Sequence, residues 1–198
     1  MKGAIAVAKR LVKRLIYRPR GVRMGPDSLV MRPHWFYNRS CIQMGARCSV
    51  GRFAIFNPFT DYKHPARPGT IRLGDDVYIG GFSQIHSVSL LEIGDGCVLS
   101  EHVYISDVAH GLDPRAGLIM QQPLESKGPV RIGRHVFIGL GASVLPGVTL
   151  GDHCIVGARS VVTRSFPAYS MVVGAPARLI KVFDQASGQW LPAGKDEG

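Results

Sequence analysis

Between Met44 and Val162 an apolar residue returns at every sixth position, while the positions around it are small, polar or mixed. The register runs Met44, Val50, Phe56, then Leu73, Ile79, Ile85, then Ile93, Leu99, Ile105. It resumes as Ile132, Ile138, Val144, Leu150, Val156 and Val162 without interruption. Four residues after each comes a small or β-branched side chain, among them Cys48, Val77, Ser89, Cys97, Ala109, Val136 and Cys154. A period of six matches neither the 3.6 of an α-helix nor the alternation of one long strand. It matches short strands joined by corners, stacked coil upon coil. The pattern predicts a parallel β-helix whose interior takes both sets of residues. The glycines that follow the apolar positions, such as Gly45, Gly80 and Gly139, are assigned to corners whose backbone angles a Cβ would resist.

The register breaks in three places. Residues 57–69 carry Pro58, Pro65 and Pro68 and are predicted to leave the coil as a loop. A short slip lies between Ser89 and Ile93. The longest break, 111–129, begins just after His110, and a long loop in a compact repeat is more often functional than idle. Residues 19–43 alternate without the clean repeat and read as a degenerate first coil. The repeat domain therefore spans 19–176, with a C-terminal segment and polar tail over 177–198. Residues 1–18 place Ile5, Ala8, Leu11, Val12, Leu15 and Ile16 on one helical face and Lys2, Lys9, Arg10, Lys13 and Arg14 on the other. Such a basic amphipathic helix is too interrupted by charge for a membrane span or a secretory signal. It is predicted to cap the open first coil or to lie on an anionic membrane surface.

Outward positions carry information too. Tyr78, Leu90, Val98, Tyr104, Phe137, Ile155 and Val161 follow the small inward residue, where solvent-facing side chains belong. Phe137 and Ile155 fall one full three-sided turn apart, so the pattern predicts an apolar outer column buried in a homotrimer. The chain has 198 residues, enough for one solenoid, and 24 basic against 14 acidic side chains, a net charge of +10 that calls for an anionic partner. Cys48, Cys97 and Cys154 occupy inward slots as compact apolar fillers, and no zinc-spaced cluster is present, which fits a reducing cytoplasm.

The stretch Ile105-Ser106-Asp107-Val108-Ala109-His110-Gly111, the loop after it, the unbroken coils from Gly128 and the closing Gly174-Ala175-Pro176-Ala177-Arg178-Leu179-Ile180 resemble the hexapeptide-repeat acyltransferases. The resemblance covers about residues 70–182, and is to the branch of maltose, galactoside, nodulation and exopolysaccharide O-acetyltransferases. It implies a left-handed parallel β-helix, a trimer, and acetyl-CoA held between subunits. Left-handedness comes from the resemblance alone, since ordinary β-crossovers are right-handed. Attack of a sugar hydroxyl on a thioester needs a base, and an imidazole is suited to it near neutral pH. His110 matches the family's catalytic histidine. With Ala109 inward, alternation sends His110 outward, and Asp107, Glu101 or a backbone carbonyl is expected to orient the ring, Asp107 being preferred. The resemblance further implies that Ala158 lines the pantetheine arm, that Thr163 and Arg164 match a Thr-Lys contact to the cofactor, and that Arg178 and Lys181 face its phosphates.

The remaining histidines are read conservatively. His102, His135 and His153 sit at outward corners where a polar ring is merely solvated, whereas His86 lies one coil before His110 and is a candidate border of the same pocket. The reading is thus an acetyl-CoA-dependent O-acetyltransferase, with no metal, acting on a sugar or on a cell-envelope or exopolysaccharide glycan. It is placed in the cytoplasm or peripherally at the inner membrane. The alternatives are an N-acetyltransferase of an amino sugar or antibiotic, and a non-enzymatic scaffold. A trimeric carbonic anhydrase of the same fold would need an H-x4-H zinc spacing that is missing, and nucleic-acid binding has charge but no motif in its favour.

Overall fold

The computed structural model describes residues 16–59 and 68–194. The chain winds as a left-handed parallel β-helix with three flat faces, and each coil contributes one short strand to each face. One face, here the histidine face, stacks Trp35–Phe36, Ile55–Pro58, Gln84–Ser87, Tyr104–Ser106, Ser143–Val144 and Val161–Val162 in parallel. A second face runs from Arg23–Met24 to Thr149–Leu150. The third, the long face, runs from Leu29–Met31 through Phe137–Ile138 and Ile155–Val156 to Ser170–Gly174.

The sixfold register becomes a stack of identical inward positions. Val50, Ile79, Leu99, Ile138 and Val156 follow one another up the long face, each fully enclosed. Phe56, Ile85, Ile105, Val144 and Val162 do the same up the histidine face. Burying such a side chain stabilises by about 1.5–3 kcal/mol, and every coil repeats the gain. Cys48, Cys97 and Cys154 fill their inward slots, and the Cys97 thiol, pushed up to about 11 by burial, is an inert filler.

The glycines serve a different purpose from the one the repeat alone implies. Positive φ at the corners is carried mostly by other residues, including Arg47, Phe53, Asp76, Phe82, His102, His135, His153, Arg159 and Tyr169. The glycine after each apolar residue sits instead where the next coil presses close. A Cβ on Gly139 would lie 2.6 Å from the backbone nitrogen of Ala158, and one on Gly51 would lie 2.5 Å from that of Gly81. Coil-to-coil spacing of about 4.8 Å leaves no room for it.

Two inward assignments change at the breaks. Ser89 is exposed and Ala109 only half-buried; Leu91 and Val130 take the inward slots, because at both breaks the chain shifts register before re-entering the coil. At the N-terminus, Ile16–Tyr17 pairs antiparallel with Val30–Met31, so the proposed helix does not extend through residue 18. Its first fifteen residues lie outside the described residues. The segment after the closing motif is not a loose tail. Ala177–Asp184 and Gln189–Pro192 form antiparallel strands that extend the long face beyond the last coil.

Candidate active site

Asp107 shapes the break that carries His110. It follows Ser106 at the end of a histidine-face strand, is wholly buried, and can only accept hydrogen bonds as a carboxylate. Its oxygens accept from the backbone N–H groups of Val88 (2.7 Å), Ser89 (3.0 Å) and Leu90 (2.8 Å), and from the hydroxyls of Ser87 (3.1 Å) and Ser89 (2.7 Å). The carboxylate therefore fastens the turn of the coil below. Among the described residues no hydrogen bond joins it to His110.

From Asp107 the chain leaves the solenoid. Ala109–His110 pairs antiparallel with Leu124–Glu125, so the region after His110 is a hairpin rather than a bare loop. His110 faces outward because it stands on this hairpin, not because Ala109 points into the core. Buried Gln122 organises the rest. Its Oε1 accepts from the Asp113 N–H at 3.1 Å, and its Nε2 donates to the carbonyls of Asp113 (3.0 Å) and Gly117 (3.2 Å).

His110 borders a cavity of about 280 Å³ lined also by Phe59, Gln84, His86, Tyr104 and Ser106. His86 and Ser106 are register partners on adjacent strands, and Gln84 lies two residues before His86 on the same outward face. The His86 ring is held between Phe59 and Tyr104, with centroids 5.6 and 5.7 Å away. Its Nε2 is 3.2 Å from the Gln84 Oε1, while its buried Nδ1 has no hydrogen-bond partner among the described residues. Burial lowers its pKa below the ordinary imidazole value, favouring the neutral ring. No carboxylate lines this cavity among the described residues.

The residues matched to the cofactor fall into separate groups. Ala158 is exposed at the corner between the long and histidine faces. Arg178 is brought to that end of the molecule: it lies opposite Val173, whose Cγ1 would be 2.7 Å from a Cβ on Gly157. Thr163 and Arg164 stand at the far edge of the histidine face. Thr163 continues the outward column that passes through His86, Ser106 and Leu145, two strand spacings or about 10 Å above Ser106. The Arg164 guanidinium lies over the Phe166 ring at 5.3 Å. Lys181 is exposed opposite Met171 on the long sheet.

Beside the Ala158 corner lies a larger cavity, about 640 Å³, lined by Glu101, His102, Leu140, Gly141 and Arg159. Its origin is visible in the corner column. Phe53, Phe82 and His102 stack there with centroids 4.6 and 4.9 Å apart, and then Gly141 supplies no side chain before Arg159. The gap is the cavity, and a Cβ on Gly141 would meet only the Arg159 Cγ at 3.7 Å. Sequence reasoning passed over Gly141 and Arg159, although a glycine in a corner position otherwise filled by large rings was a usable signal. At the other corner His135, His153 and Tyr169 stack with centroids 5.0 Å apart, as structural outward rings. Among the described residues no three His, Cys, Asp or Glu side chains converge as a metal-ligand set.

The family model for the hexapeptide repeat of succinyl-transferase matches residues 129–164, the unbroken coils. WbbJ of Escherichia coli K12, named as a candidate O-acetyl transferase of lipopolysaccharide biosynthesis, is 33% identical over 132 residues, covering 63% of this chain and 67% of WbbJ. A candidate acetyltransferase of Mycobacterium tuberculosis is 40% identical over 136 residues, 69% of this chain, and the chain spans 44% of that relative's length. Among solved structures, AntD of Bacillus cereus, described as an N-acyltransferase, superposes with a TM-score of 0.74 at 20% identity, covering 87% of this chain and 92% of AntD, a likeness of fold.

Proposed function

The chain belongs to the hexapeptide-repeat acyltransferase family, and we propose that it transfers an acetyl group from acetyl-CoA to a hydroxyl of a sugar or cell-envelope glycan, with His110 as general base. His110 removes the hydroxyl proton as the oxygen attacks the thioester carbonyl and the C–O bond forms. The tetrahedral intermediate then collapses, the C–S bond breaks, and the imidazolium returns its proton to the departing thiolate. No covalent acyl-enzyme is required.

The observation that carries the choice of a hydroxyl is the cavity beside His110. Among the described residues it offers imidazole, amide and hydroxyl groups but no carboxylate; of the two acids three residues from His110, Asp107 is engaged by the turn at 87–90 and Asp113 is paired with Arg115. An amino acceptor arrives as an ammonium ion and gains from a carboxylate that binds it; a hydroxyl does not need one. WbbJ, by its name, works on the same bond type.

The cofactor residues fit a groove shared by two subunits. Ala158 with Arg178 on one edge, and Thr163 with Arg164 on the other, bracket one face of the prism, so neighbouring copies would each contribute one edge to a bound acetyl-CoA. Lys181 adds charge at the same end for its phosphates. Exposed Tyr78, Val98 and Phe137, aligned up the long face, supply an apolar column for a homotrimer to cover. Asp107 positions the site by holding the turn that follows the His86 strand. A site at the cytoplasmic side of the inner membrane suits a glycan acceptor; among the described residues no helix is long and apolar enough to cross a membrane.

The test is product mass spectrometry after incubation with acetyl-CoA and paired acceptors that differ only in an –OH or –NH2 group. An acetyl ester on the hydroxyl acceptor, lost in His110→Ala, is expected. Acetylation confined to the amine would reverse the choice of acceptor, and full activity in His110→Ala would remove the base.

A further inference from the structure

The His110 cavity contains a second imidazole that the transfer chemistry does not use. Both polar atoms of the His86 ring have fixed surroundings. Nδ1 is buried without a hydrogen-bond partner among the described residues, and Nε2 faces Gln84 Oε1 at 3.2 Å. A buried N–H left without an acceptor costs more than a bare lone pair does. The neutral ring therefore carries its proton on Nε2, donating to Gln84. Phe59 and Tyr104, on either side, keep the ring plane from turning. With one lone pair of its carbonyl oxygen tied to the ring, the exposed Gln84 is fixed in orientation and keeps both N–H donors of its NH2 group for the cavity.

We propose that His86 and Gln84 act as one uncharged recognition unit, in which the histidine fixes the amide and the amide donates to a hydroxyl or ring oxygen of a neutral pyranose beside His110. The inference rests on the reading of His110 as the base of an acyl transfer, and gives that reaction its acceptor specificity. It follows from the composition of the wall among the described residues: a neutral imidazole and an oriented amide pair with alcohols and ethers, and neither compensates a charged group, while the Ser106 hydroxyl is closed onto the Val108 backbone. Gln84 binds, and His86 is a positioning residue that works through it.

The experiment measures initial rates with acetyl-CoA and methyl gluco-, galacto- and mannopyranoside, each beside its amino-deoxy analogue. Losing one oriented donor should raise the acceptor KM about tenfold in Gln84→Ala and in His86→Phe, which keeps the aromatic stack. The KM for acetyl-CoA should stay within about twofold, and His86→Gln, which retains an N–H, should recover part of the loss. Gln84 is exposed, so its variant separates recognition from folding. An unchanged acceptor KM in both variants overturns the proposal, as does preference for the amino sugars or absence of saturable binding by every neutral pyranoside. Persistent turnover in His110→Ala would instead remove the underlying reading, which makes the two failures distinct.

Discussion

From Val130 to Val162 the repeat runs without a fault, whereas from Gln84 to Pro129 the same repeat is bent twice, once at Ser87–Leu90 and once at Asp107. The two regions share an equally closed interior: Ile138 and Val156 in the first and Ile85 and Ile105 in the second are all fully buried. They differ in what stands outside. The regular coils present stacked rings and salt-bridged corners, such as His135 on His153 and Arg134 with Asp152. The bent coils present the His110 hairpin and the cavity it borders. Regularity thus makes the scaffold and the edge assigned to the cofactor, and its interruption places the proposed base, with a buried carboxylate holding that interruption in place.

The sharpest way to break this division is catalytic. His110→Ala should lower kcat by about a thousandfold, measured as CoA thiol release, while His153→Ala on the regular coils should stay within about twofold. Comparable losses from both would erase the distinction. The interior should make no such distinction. Ile105→Ala and Ile138→Ala should each cost about 2–5 kcal/mol in denaturant unfolding, since both remove packed side chains that no water reaches. Acidic residues separate the regions again. Asp107→Ala leaves the donors of the 87–90 turn unpaired and should cost about 3 kcal/mol, whereas Asp152→Ala at a half-buried corner should cost about 1 kcal/mol.

Smaller effects come from protonation. Burial lowers the His86 pKa below its unfolded value, so the unfolded chain binds the proton more readily. Stability should therefore fall as pH drops through the ordinary histidine range, and continue to fall until the folded ring itself protonates. His86→Phe should flatten part of that slope in thermal melts between pH 8 and 5, and His34, lowered for the same reason, should keep the remainder. Thiol labelling is the mildest probe. Cys41, partly exposed, should react first in the native protein, ahead of Cys48, Cys97 and Cys154, whose thiols burial pushes up.

Much of the fold was legible in the chain. A sixfold apolar period has one economical meaning, so the inward columns at Val50, Ile79, Leu99 and Ile138, and the buried cysteines, could be assigned residue by residue. The register of Phe137 on Ile155 followed from the same arithmetic. Where the period failed, so did the assignments. Ser89 and Ala109 were misplaced because a break resets the register by an amount that only the hydrogen bonds of Asp107 reveal. The glycines were correctly located but given the wrong reason, since crowding between coils is invisible along a single strand.

What the amino-acid order determined unaided is therefore the prism: its strands, its interior and the place where it opens at His110. Those are consequences of short-range periodicity and burial, repeated until they become certain. What tertiary structure alone decided is which outward groups meet. His86 joins His110 because stacked strands place distant residues in one column, Gln84 turns its amide because the imidazole behind it has a blocked face, and the Gly141 gap becomes a cavity because its neighbours above and below are large. Sequence spacing specifies a face, whereas contact between faces depends on how the coils lie on one another.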